Sequence, residues 1–162
     1  MDGVAYNDGL VRNHDGYCRV GFTRNIWICS IVEADIWGAY DGLLLAWELS
    51  SSRVILEMDS SDVVTMLKRL LDASSNSATV RDVGRLLRRS WEVQIVHAYG
   101  EGNQAPDALA NYAFKCPLII FDLAILYSPY YNKISKYKDN VNTMSSLDNL
   151  NLKIQGEMFS LG

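Results

Sequence analysis

The spacing of apolar and polar positions changes several times along the chain, and each change predicts an element. Over "GLVRNHDGYCRVGFTRNI" two short apolar runs flank a polar turn at Asn13 to Gly16, with Asp15-Gly16 supplying turn chemistry, so the segment predicts an antiparallel hairpin. From Ser30 the period becomes helical. Ile31, Val32, Ala34, Ile36, Trp37, Tyr40, Leu43, Leu44 and Trp47 recur at helical intervals in a stretch free of proline, which predicts a long, mostly buried helix. "RVILEMD" then predicts a strand, "SSDVVTMLKRLLDA" a helix, "SSNSAT" a loop and "VRDVGRLLRR" a second, short helix. "WEVQIVHAYG" alternates as a strand, and "NQAPDALANYAFK" predicts a further helix that Pro117 ends. A hairpin feeding an alternating β/α run implies an α/β fold, a mixed sheet with helices on both faces. Beyond Pro117, "NKISKYKDNVNTMSSLDNLNLKIQGEMFSLG" is rich in Asn, Ser and Lys, so residues 1–116 are expected to form the domain and 117–162 a loosely ordered C-terminal extension.

Composition narrows the function classes. A chain of 162 residues, 49% hydrophobic and 21% charged, is long enough for one well-buried core and too short for two. Cys18, Cys29 and Cys116 are an odd number at wide spacing with no CxxC pair, which suggests neither a zinc site nor a disulfide framework. With no basic-then-apolar leader and no apolar stretch of membrane-spanning length, a cytoplasmic or nuclear protein without a membrane partner is expected. The net charge of −4 and the pI near 5.1 argue against a general electrostatic grip on nucleic acid, so such binding is expected to be local or metal-assisted.

Three carboxylates fall at comparable topological places. Glu33 lies in the first turn of the long helix, Asp59 ends the strand in "VILEMDSSDVV", and Asp107 begins the last predicted helix. Each has a purely structural reading. Ser30 and Glu33 match the S-x-x-E capping box, Asp59 and its serines are ordinary helix caps, and Asp107 complements a helix dipole. If the all-apolar strand before Asp59 is central, the three converge near its carboxyl end, where ligands collect in open α/β sheets. Carboxylates so grouped repel unless cations neutralise them, and oxygen ligands without His or Cys suit Mg²⁺ or Mn²⁺. Two such ions about 4 Å apart activate water and stabilise a leaving oxygen in phosphodiester cleavage.

The segments "GLVRNHDGYCRVGFTRNIWICSIVEADIWGAYDGLLLAWE", "VILEMDSSDVV" and "WEVQIVHAYGEGNQAPDALANYAF", in this order over roughly residues 9 to 116, resemble the ribonuclease H-like domain abundant in plants and often associated with retroelement reverse transcriptases. The resemblance implies a ribonuclease H-like fold, a five-stranded mixed sheet flanked by helices. It also implies a two-metal site and endonucleolytic cleavage of the RNA strand of RNA–DNA hybrids. Glu33 in "EADIW" matches the family's "EAELW", Asp59 in "EMDS" matches "ETDS", and Asp107 in "EGNQAPD" matches "EGNxxAD"; His97 matches a strand-end His. On this resemblance Glu33, Asp59 and Asp107 hold two Mg²⁺ or Mn²⁺ ions, and Asp59 caps its helix as a secondary role.

The N-terminus departs from the pattern. The family opens with a full strand carrying "TDG"; here Asp2-Gly3 stands in that place with only Met1 before it, so the first strand is expected to be truncated and Asp2 to be either a fourth metal ligand or a frayed terminal residue. Gly100 replaces the Arg of the family's "REGN". His97 is a packed strand-end histidine or a proton-transfer group. Arg85, Arg88 and Arg89 form, with their neighbours, a solvated helix face or a patch for the phosphate backbone, and Asn103 joins them as a nucleic-acid contact. The expectation is therefore a monomeric nucleic-acid-binding domain with hybrid-specific endonuclease activity. Its alternative is a catalytically impaired module left by the shortened N-terminus.

Overall fold

The computed structural model describes residues 3–14, 18–49, 51–70, 77–98, 118–121 and 149–159. Its elements in chain order are β1 (Gly3–Asn13), β2 (Cys18–Cys29), α1 (Ile31–Glu48), β3 (Arg53–Met58), α2 (Ser61–Arg69), α3 (Ala78–Leu87), β4 (Glu92–His97), β5 (Leu118–Phe121) and β6 (Asn149–Phe159). The hairpin, the long helix and the β3-helices-β4 run stand where the apolar spacing places them. The helix predicted over residues 103–115 lies outside the described residues.

The strands form one six-stranded sheet in the order β4-β3-β6-β1-β2-β5. β1 runs antiparallel to β2 and β6, whereas β3 is parallel to both β4 and β6. Two of the six described strands, β5 and β6, come from the region after Pro117. Within "NLNLKIQGEMF", Leu150, Leu152 and Ile154 alternate with Asn151 and Lys153, the period of two that suits a pleated strand.

The three described helices pack together on one side of the sheet. α1 touches α2, α3 and the strands β1, β2, β3 and β6. The alternation of β3 reports the same side: Val54, Leu56 and Met58 are buried among the helices, while Arg53 and Ile55 are exposed. Leu43, Leu45, Leu49, Leu56, Met58 and Leu67 are the largest fully buried side chains of this layer. Burying such residues contributes about 1.5–3 kcal/mol each before entropy is counted, which makes the α1–sheet interface the main source of stability. A polar contact lies inside it: Asn7 of β1 donates to Asp41 of α1 at 3.3 Å, both fully or nearly fully buried.

Candidate nucleic-acid site at the sheet end

The backbone around Asp59 is tied down from the neighbouring strand. Met58 and His97 end β3 and β4 as a parallel pair, Ala98 donates its backbone N–H to Met58 O at 2.8 Å, and the His97 ring donates from Nε2 to Asp59 O at 3.0 Å. A carbonyl only accepts, so the geometry requires the proton on Nε2. Asp59 is exposed and His97 half-buried. The structure thus brings these two predicted residues together at the carboxyl ends of parallel strands, where open α/β sheets present ligand-binding groups.

The cap of α2 corrects one expectation. Ser60, not Asp59, is the N-cap, its Oγ accepting from Val63 N at 3.4 Å. Asp and Ser cap equally well, so local sequence alone does not choose between adjacent candidates.

Glu33 is committed locally. Its Oε2 accepts from Ser30 N at 2.9 Å and from Ser30 Oγ at 3.2 Å, while Ser30 Oγ accepts from Glu33 N at 3.2 Å, a complete capping box. The carboxyl ends of β2 and β3 both point to the sheet end at which β6 finishes, so the start of α1 and Asp59 share that end. They sit at different levels, however. Met58 pairs with Ile154, whereas Cys29 pairs with Gly3, the neighbour of the Val4 that pairs with Phe159. At about 3.3 Å per strand residue the offset along β6 approaches 20 Å, and α1 recovers only about 1.5 Å per residue as it turns back from its start.

Asp2, Asp107 and Asn103 lie outside the described residues. The donor set that is described, Glu33 and Asp59, is hard carboxylate oxygen and fits Mg²⁺ or Mn²⁺ in kind. Among the described residues no group of three His, Cys, Asp or Glu side chains is arranged to hold a metal ion.

The predicted basic contacts are exposed, and each has an internal partner. Arg85 pairs with Asp82 at 2.8 Å on the same helix. Arg88 donates to Leu70 O, the C-cap of α2, at 3.3 Å, joining the ends of α2 and α3. Arg89 lies 4.7 Å above the ring of Trp47, which meets Trp91 edge to face. Sequence spacing identified the group but not these anchors, which depend on tertiary neighbours.

The sequence profile of the reverse transcriptase-like family matches residues 2–113. The chain belongs to this family of ribonuclease H-like domains. It is 43% identical over 117 residues to an Arabidopsis thaliana protein named "Putative ribonuclease H protein", an alignment covering 72% of this chain and 19% of that protein. The chain therefore corresponds to a fraction of its relative's length. Among solved structures it is similar to RNase H1 from the halophilic archaeon Halobacterium salinarum, with a TM-score of 0.52 and 21% identity over 70% of this chain and 87% of that one. That likeness establishes the ribonuclease H-like fold. Among the described residues, no helix of the domain is long and apolar enough to cross a membrane.

Proposed function

We propose that this ribonuclease H-like domain binds RNA–DNA hybrids at the sheet end carrying Asp59 and His97 and hydrolyses the RNA strand there, with Mg²⁺ or Mn²⁺ as cofactor. The observation that carries the reading is the placement of Asp59: exposed at the carboxyl end of β3, with its backbone carbonyl held by His97 from the adjacent strand. Asp59 is the described carboxylate proposed to hold metal; Glu33, Asp2 and Asp107 belong to the set through the sequence pattern alone. Bound there, divalent cations would supply Lewis-acid activation of water and neutralise charge on the leaving oxygen. The chain's own contribution is positioning. His97 fixes the Asp59 backbone, Arg85 and Arg88 at the far end of α2 and α3 offer charge to more distant phosphates, and hybrid specificity arises from A-form shape and 2′-hydroxyl contacts.

A second reading, hybrid binding without turnover, is favoured by one specific observation. Glu33 is engaged in its capping box and stands at a different sheet level from Asp59. Misplacement of a catalytic group by about 1 Å costs on the order of a hundredfold in rate. A hybrid labelled separately on its RNA and DNA strands tests the first reading. Mg²⁺-dependent shortening of the RNA alone, lost in Asp59→Asn, supports it; a hybrid that is bound and left intact supports the second.

A further inference from the structure

The last strand of the chain occupies the middle of the sheet. β6 is hydrogen-bonded on both edges, to β1 from Val4↔Phe159 to Asn13↔Leu150 and to β3 from Arg53↔Asn149 to Met58↔Ile154. The pairs β4-β3 and β1-β2 have no direct pairing with each other, so β6 is what makes one sheet of them. α1 lies across it as well as across β1.

A side-chain contact closes over this strand. Arg12 belongs to β1 and Glu57 to β3, two strands separated by β6 and therefore about 10 Å apart at their backbones. Their side chains nevertheless meet, Arg12 Nη2 donating to Glu57 Oε2 at 3.1 Å, with only 20% and 24% of the two side chains exposed. The register places both on the face opposite the helices. Arg12 is level with Asn151 and Ile55, and Glu57 is level with Lys153 and Leu10, whereas Val11 and Met58 of the same strands enter the helical core. The ion pair thus crosses β6 at the level between positions 151 and 153, on the sheet face opposite α1, α2 and α3. The Arg12 Nε is buried without a hydrogen-bond partner, so the Glu57 contact is what compensates the guanidinium in this position.

We infer that Asn149–Phe159 is a self-supplied insertion strand, clasped into the sheet by Arg12 and Glu57, and that its seating positions Asp59 for nucleic-acid binding. Asp59 directly follows Met58, the last β3 residue paired with β6. Loss of the strand would leave two unpaired edges facing each other, β1 and β3, and would free one side of the β3 backbone that leads into Asp59. The slot accepts a strand parallel to β3 and antiparallel to β1, and the chain's own terminal segment fits it by alternation and by register. Arg12 and Glu57 are positioning residues. The link to nucleic acid rests on the hybrid-binding reading above; the seating of the strand does not.

The experiment uses the full chain with Ile55→Cys and Asn151→Cys, a parallel pair whose backbone spacing suits a disulfide. Under mild oxidation, peptide mapping should find the 55–151 disulfide within a monomer, and the trapped protein should bind a fluorescent RNA–DNA hybrid as the untrapped one does. Arg12→Glu and Glu57→Arg should each lower the rate of trapping and, before trapping, the hybrid affinity by roughly fivefold, as for an ion pair contributing on the order of 1 kcal/mol. The double exchange should restore both, and so should trapping of either single variant. No 55–151 disulfide, or one that joins two copies, overturns the self-supplied strand. Trapping rates indifferent to both charge reversals overturn the clasp. Normal trapping and charge-pair rescue in a protein that binds no hybrid leave the seated strand standing and overturn the nucleic-acid reading instead.

Discussion

Phe22 of β2 lays its ring over Gly9 of β1. The two residues are directly paired across the hairpin, and a β-carbon built on Gly9 would meet Phe22 Cζ at 2.0 Å. Phe22 is 3% exposed and belongs to the core beneath the helices, so its ring has little room to withdraw. Gly9 is needed here for close approach, not for a special backbone angle.

Gly9→Ala should therefore destabilise the fold by overpacking, by about 1–3 kcal/mol in urea melts. In a Phe22→Leu background the same substitution should cost clearly less, because the colliding ring atoms are gone. Equal costs in both backgrounds would show that the ring is not what requires glycine.

The capping box separates the structural role of Glu33 from a ligand role. Ser30→Ala should cost about 1 kcal/mol of stability through loss of the N-cap. Glu33→Gln should leave stability within a few tenths of a kcal/mol, because glutamine also closes a capping box, yet should weaken Mn²⁺ binding if the carboxylate serves metal. Paired thermal melts and calorimetric Mn²⁺ titrations read the two effects separately.

The arginines should divide by their partners. Arg88→Ala removes the bond to the Leu70 carbonyl and should lower stability by about 1 kcal/mol, as for an ordinary lost hydrogen bond to a buried acceptor. Arg85→Ala breaks an exposed pair with Asp82 and should leave the melting temperature unchanged. If Arg85 contacts a phosphate, its removal should reduce the salt dependence of hybrid binding by about one charge. An unchanged salt slope marks it as a solvated helix residue.

Much of the fold was legible because the elements from β1 to β4 are local in origin. The capping box at Ser30 and Glu33, the helical period through Trp47 and the alternation of β3 all act within a few residues. Ser60 was harder, since Asp59 beside it is an equally good cap and only the folded backbone selects one. β6 was hidden differently. Leu150, Leu152 and Ile154 carry a readable period of two, but the polar tract around them suggests loose structure, and pairing with β1 and β3 is a tertiary property that local spacing does not encode. The juxtaposition of Asp59 and His97 arises likewise from the parallel pairing of β3 with β4. The offset between Glu33 and Asp59 emerges only from register.

The most direct measurement is fluorescence anisotropy of a labelled RNA–DNA hybrid titrated with the full chain at low salt, with and without Mn²⁺, using short time points that precede any cleavage. Wild-type protein should bind saturably and several-fold more tightly with Mn²⁺ present, and Asp59→Asn should retain the folded melting transition while losing the Mn²⁺-dependent gain. Absence of saturable binding, or an Mn²⁺ effect untouched by Asp59→Asn, would contradict a hybrid site at the end of β3.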